Sequence, residues 1–158
     1  MFKIENITYG AVSAVMTGLA IIIGLSSTIS AKTNIIVALL VIAIADNISD
    51  SFGIHFQEES QLLSKDKVRN ATLLNFVSRF VTTAILILFV IIFSMTLAII
   101  LSILFCFFVI ISLSYIISKR QNTNPYKAVF GHLATAIALM VASYILREVI
   151  SKYTIKVI

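Results

Sequence analysis

Residues 42–61 read Ile-Ala-Ile-Ala-Asp-Asn-Ile-Ser-Asp-Ser-Phe-Gly-Ile-His-Phe-Gln-Glu-Glu-Ser-Gln and hold four of the chain's seven carboxylates. The residues before them, and most of those after, are apolar enough for lipid. Asp46, Asp50, His55, Glu58 and Glu59 therefore belong to a hydrophobic helix or its continuation. A carboxylate in hydrocarbon is expensive and persists where it is paired or put to use. This stretch therefore sets the fold and localises the chemistry.

Composition points the same way. The 158 residues are 59% hydrophobic and 12% charged, with a mean hydropathy of +1.06, outside the usual range for a soluble domain. A bilayer-spanning helix needs about 20 mostly apolar residues, so the length accommodates five or six spans with short connections. The expectation is an all-α, polytopic integral membrane protein forming one domain over residues 1–158.

Several classes are set aside. The net charge of +5 is spread over segment ends with no basic run, which argues against a nucleic-acid partner. There is no phosphate loop, no nucleophile with a base and no cofactor motif, so neither an enzyme nor a resident cofactor is expected. Cys106 stands alone in Leu104-Phe105-Cys106-Phe107-Phe108 and offers no disulfide framework or Cys-based metal site. The apolar segment after residue 6 exceeds the roughly 7 to 15 residues of a signal-peptide core and reads as an uncleaved first span. The sequons at Asn6, Asn47 and Asn70 lie in or beside predicted spans, where a glycan has no room.

Span one is predicted over Ile7 to Ser30. Gly10, Ala14 and Gly18 recur every four residues along it, a small-residue face that lets a second helix approach closely. After a polar connection at Ser26 to Asn34, span two runs from Asn34 to about Leu63 without a breaker. As one helix of about 28 residues it is about 42 Å long, more than the ~30 Å hydrocarbon core. Its last third is expected to project into cytosolic water. Lys65, Asp66, Lys67 and Arg69 form the next connection, with Asn70 or Thr72 as cap of span three. Phe80 to Ser118 is 39 residues without a charge, so Ser94-Met95-Thr96 marks a turn between spans three and four. Asn124-Pro125 fits an N-cap followed by Pro at the first helical position. Span five covers Tyr126 to Leu146, and an amphipathic tail carries Arg147, Glu148, Lys152 and Lys156.

Five spans put the termini on opposite sides. Lys3, Lys65, Lys67, Arg69, Lys119, Arg120 and Lys127 fall on one side, and Lys32, Arg147, Lys152 and Lys156 on the other. The richer side is expected to be cytoplasmic, giving N-in and C-out.

Within span two, Asp46 and Asp50 are four apart and share a helix face. Two carboxylates so placed need a cation, a proton or a basic partner. One step round, Asn47, Ser51, His55 and Glu58 continue a polar stripe, and His55 with Glu59 has the spacing that lets an imidazole and a carboxylate share a ligand. Carboxylates with one imidazole, and Met16 nearby in span one, suit Mn²⁺ or Fe²⁺ better than Cu⁺. Arg79, about two turns into span three, is the alternative partner for either Asp. His132 reads as a helix-end histidine at the membrane surface or as a proton relay.

At these residues the chain resembles the vacuolar iron transporter family. Tyr9-Gly10-Ala11 resembles the family's Y-G-A-N-D-G opening of span one. Ala45-Asp46, Ile48-Ser49 and Gly53 resemble its A-D-x-[IL]-S-M-x-x-G-E-Y segment, and Asn124-Pro125-Tyr126-Lys127 resembles the start of its last span. The chain departs from the pattern at Val12-Ser13-Ala14, where the family has N-D-G, at Asp50, where it has Met, and at Ile54, where it has Glu. It also lacks the soluble metal-collecting insert between spans two and three.

The resemblance implies a homodimer in the lipid bilayer with an ion path on the two-fold axis. It implies export or sequestration of cytosolic Fe²⁺ or Mn²⁺ as transported substrate, by exchange with protons, at the cell membrane or, in a eukaryote, an intracellular one. Asp46 and Asp50 are then the expected metal ligands, with Met16 and Ser13 opposite them, while His55, Glu58 and Glu59 gather the ion. The competing expectation is a non-transporting membrane protein of the same fold, acting as a structural or partner-docking module.

Overall fold

Thirty residues from Ala31 to Ser60 form an unbroken rod, but not one uniform helix. In the computed structural model, which describes residues 4–154, the chain runs through α1 (Ile4–Leu25), α2 (Ala31–Val41), a π-helical turn (Ile42–Asp46), α3 (Asn47–Ser60), α4 (Lys65–Ile92), α5 (Met95–Arg120) and α6 (Pro125–Thr154). No strand occurs among the described residues. Five helical stretches, with α2 to α3 taken as one, are long and apolar enough to cross a membrane. Lys3 and Lys156 of the charge count, and the side chain of Asn6, lie outside the described residues.

The helix ends correct several expected boundaries. Span two begins at Ala31 rather than Asn34, after Ser30 in a left-handed conformation. Asn34 instead braces the preceding turn, donating from Nδ2 to Thr28 Oγ1 at 3.2 Å and to the Ile29 carbonyl at 2.9 Å. Span three starts at Lys65, capped by Ser64 rather than Asn70 or Thr72. The backbone amides of Lys67 and Val68 donate to the Ser64 carbonyl.

Lys65 to Arg69 are thus helical, and Asp66 near the positive end of the helix dipole pairs with Arg69 one turn on, at 3.1 Å. The actual break is left-handed Leu62. Starting the helix earlier puts Arg79 about four turns into it, not two. The turn at Ser94 and the cap at Asn124 are where the sequence places them. Asn124 Oδ1 accepts from the amides of Tyr126 and Lys127 at 3.0 and 3.3 Å, and Pro125 opens α6. That last helix continues to Thr154 without a separate tail.

α1 is the hub, packing on α2, α4, α5 and α6. Its small-residue face meets α4 at van der Waals limits. A Cβ at Gly10 would sit 2.6 Å from the Asn75 carbonyl oxygen, and one at Gly18 would sit 2.4 Å from Leu86 Cδ1. Ala14 between them is fully buried. In lipid, helices gain little from hiding apolar surface, so this closeness and its dispersion contacts hold the pair together.

Two apolar clusters complete the interior. One joins Val15 and Leu19 of α1 to Cys106 and Ile110 of α5 and Ala136 of α6. The other joins Ile22 to Ile35, Leu39, Leu86, Val90 and Ala98. Along α5 the inward residues are Ala98, Ser102, Cys106, Ile110, Ser114 and Ser118, mostly small side chains at a strict four-residue spacing. Cys106 is a small buried residue and a free thiol.

Candidate functional site

The π turn determines where the acids point. At its end the Asn47 amide donates to the Ile42 carbonyl, five residues back, as well as to that of Ile44. An i→i+5 turn holds one residue more than an α turn, which shifts the downstream inward face by one position. The inward residues are Ile35, Leu39, Ile42 and Ala43 before the shift and Asn47, Ser51, Ile54 and Glu58 after it. The polar stripe one step round from the acids is therefore the buried one. Asp46 and Asp50 lie on its flank, with side chains 47% and 21% exposed.

Both carboxylates converge on Arg79 of α4, whose side chain is only 3% exposed. Nη2 is paired with Asp46 Oδ2. Nη1 donates to Asp50 Oδ2 at 3.2 Å and to Ser13 Oγ of α1 at 2.5 Å. Asn75, one turn before Arg79, donates from Nδ2 to Asp50 Oδ2 at 3.3 Å and to Ser51 Oγ at 3.2 Å. The Tyr9 hydroxyl donates to Asp50 Oδ1 at 3.3 Å. Asn47, fully buried, ties the two helices by donating to the Phe76 carbonyl at 3.0 Å.

The group thus joins α1, α3 and α4. Its formal charge is −1, two carboxylates against one guanidinium. Arg79 Nε and Asn75 Oδ1 are buried without a hydrogen-bond partner among the described residues. Such groups are costly in a medium of low dielectric.

The other expected site residues are distributed elsewhere. Ser13 is in the network, but as an acceptor from Arg79 Nη1. Met16, one turn further along α1, packs against the cluster around Cys106 and Ile110 instead. His55 Nδ1 lies 3.3 Å from Thr72 Oγ1, whose proton goes to the Val68 carbonyl at 3.0 Å. The contact is completed when His55 Nδ1 carries a proton. Glu58 is buried and Glu59 is exposed. Among the described residues, no three His, Cys, Asp or Glu side chains converge as a metal-holding group. His132, two turns into α6, is tied to Ser114 of α5 through Nδ1 at 2.8 Å.

Sequence reasoning named Arg79 but missed Asn75 and the role of Tyr9. A signal for Asn75 was present. Val68, Ala71, Asn75, Arg79, Thr82, Leu86 and Val90 follow the helical period of one buried face, so a polar residue one turn before a buried Arg lies on the same line. Tyr9 reaches Asp50 only through the tertiary packing of α1. No family model, no curated protein and no solved structure matches this chain.

Proposed function

We propose that this chain carries a divalent cation, Fe²⁺ or Mn²⁺, across a membrane out of the cytosol in exchange for protons, as a homodimer with N-in, C-out orientation. The observation that carries this reading is the charge of the Asp46–Asp50–Arg79 group. One copy holds a net −1, and two copies related by a two-fold axis hold −2, which balances one divalent ion. Asp46 supports it further. Its side chain is nearly half exposed on a face with Ala45, Ser49 and Gly53, where a second copy can approach closely. Hard oxygen donors suit these metals.

The test is metal flux in proteoliposomes under an imposed proton gradient. Flux that collapses in the Asp46→Asn, Asp50→Asn double variant supports the assignment, and flux unaffected by it sinks the assignment.

A second reading is favoured by Arg79, which already pairs with both carboxylates. In that reading the group is a fixed interhelical ion pair in a structural or docking module. Calorimetry with Mn²⁺, Fe²⁺, Co²⁺ and Zn²⁺ separates the two, because the module takes up none of them.

A further inference from the structure

A crevice of about 540 Å³ opens between α1, α5 and α6, on the side of α1 that carries Met16. Thr8 and Gln121 line one end and Met16 and Ile110 the other, with Val12 and Ile117 between them. From Gln121 to Ile110 it follows α5 for about 16 Å, roughly three turns. Its exposed wall surface is mostly apolar, and hydroxyls of Tyr9, Ser13, Ser114 and Thr135 lie along it besides Thr8, Gln121 and His132.

The charge around the Gln121 end is one-sided. Lys119, Arg120 and Lys127 are all exposed there, at the end of α5 and the start of α6. No Asp or Glu occurs between Asp66 and Glu148. Lys119 leans over the Tyr115 ring, 5.7 Å from its centroid, which leaves Arg120 and Lys127 as the cations nearest the mouth in sequence. The basic cluster at the start of α4 differs, since Asp66 lies within it and pairs with Arg69. A cationic α5–α6 connection that carries no acid of its own, beside a largely apolar slot between membrane helices, has the chemistry that retains an anionic lipid.

We propose that this crevice binds an anionic glycerophospholipid, with Arg120 and Lys127 on the headgroup phosphate and one acyl chain along Val12, Met16, Ile110 and Ile117. The crevice adjoins the Asp50–Arg79 group through Tyr9 and Ser13, but the proposal does not depend on the transport reading.

Native mass spectrometry of the full chain in detergent, titrated with phosphatidylglycerol or with phosphatidylcholine of the same acyl chains, tests it. The expected result is preferential retention of phosphatidylglycerol, weakened roughly thirtyfold in the Arg120→Gln, Lys127→Gln variant. The Lys65→Gln, Lys67→Gln variant should leave retention unchanged, because it removes the same charge elsewhere. Ile117→Phe, which narrows the slot, should weaken it as well. Both charge variants alter only exposed residues, so the comparison stands even if Ile117→Phe fails to fold. Equal retention of the two lipids, or an equal loss in both charge variants, would overturn the proposal. A folded Ile117→Phe protein that binds normally would remove the acyl-chain part of it.

Discussion

Arg79 Nη1 lies 3.2 Å from Asp50 Oδ2, bridging α4 to α3 across 29 residues of sequence. The guanidinium is almost entirely enclosed, while the carboxylate it meets keeps a fifth of its surface open. Arg79 is thus the fixed part of the group, and the acids are its accessible part. That asymmetry sets what each substitution should do.

Removing Arg79 should cost more than removing either acid. Arg79→Ala leaves two carboxylates facing each other with no counter-charge; because both keep solvent access, the loss should fall below the about 3 to 5 kcal/mol of a fully buried pair. Replacing all three with neutral groups of similar size, as Arg79→Met with Asp46→Asn and Asp50→Asn, should recover most of that loss. Chemical unfolding in mild detergent reads both. A triple variant no more stable than Arg79→Ala would mean that the ion pair is not what holds α4 to α3.

Much of the fold follows from local rules, and the site's details do not. The four-residue repeat of Gly10, Ala14 and Gly18 predicts a close helix contact, and α4 makes it. Asn124-Pro125 and Ser94 mark turns because their preferences act within a few residues. The start of α4 escapes this reasoning. Ser64 caps with its backbone carbonyl, without a side-chain hydrogen bond, and the charged residues after it resemble a loop while forming a helical turn. The π turn escapes too, since nothing in Ile42-Ala43-Ile44-Ala45-Asp46 distinguishes it from ordinary helix. The turn packs on α4, and Asn47 rather than Asp46 faces inward after it. Arg79 was legible as a charge in an apolar run. The convergence of Tyr9, Ser13 and Asn75 on the same group required three helices to be placed.

Gly10 of α1 and Gly53 of α3 should respond oppositely to an added methyl group. At Gly10 an added Cβ would meet Ser78 Oγ and the Asn75 backbone carbonyl, and backbone cannot swing aside. Gly10→Ala should therefore destabilise by about 1 to 3 kcal/mol. Because it pushes Asn75 away, it should also loosen the hold on Asp50. At Gly53 the added Cβ meets nothing within 4 Å in a single copy. Gly53→Ala should be neutral or gain up to about 1 kcal/mol from helix propensity. Thermal unfolding of both variants under one condition is the check.

The π turn makes a sharp prediction about deletions. Removing Ile44 takes out the extra residue, so α2 and α3 should both keep their inward faces as the turn reverts to α geometry. Removing Val37 from α2 should instead rotate Ile35 against Leu39 and break the packing on α4. Monodispersity on size-exclusion chromatography distinguishes the two. The Ile44 deletion should stay folded yet re-aim Asp46, whose direction depends on the turn, and so lose any function that needs that carboxylate. If both deletions are equally damaging, the turn is not an insertion into a regular helix.

Ser13 gives the last test, and it rests on the transport reading. Its Oγ lies 2.5 Å from Arg79 Nη1, so Ser13→Asp would place a third carboxylate on the guanidinium and take the group from −1 to −2 per copy. Divalent-ion affinity follows the charge count of the ligands, so Mn²⁺ binding should tighten by about tenfold. Arg79 would then have three acids to satisfy with one charge, which leaves more carboxylate available to the ion. Isothermal calorimetry with Mn²⁺ measures the change, and Mg²⁺ serves as a control for unspecific attraction. An unchanged Mn²⁺ affinity in a well-folded Ser13→Asp protein would favour the fixed ion pair, with Arg79 absorbing the new charge as it absorbs the other two.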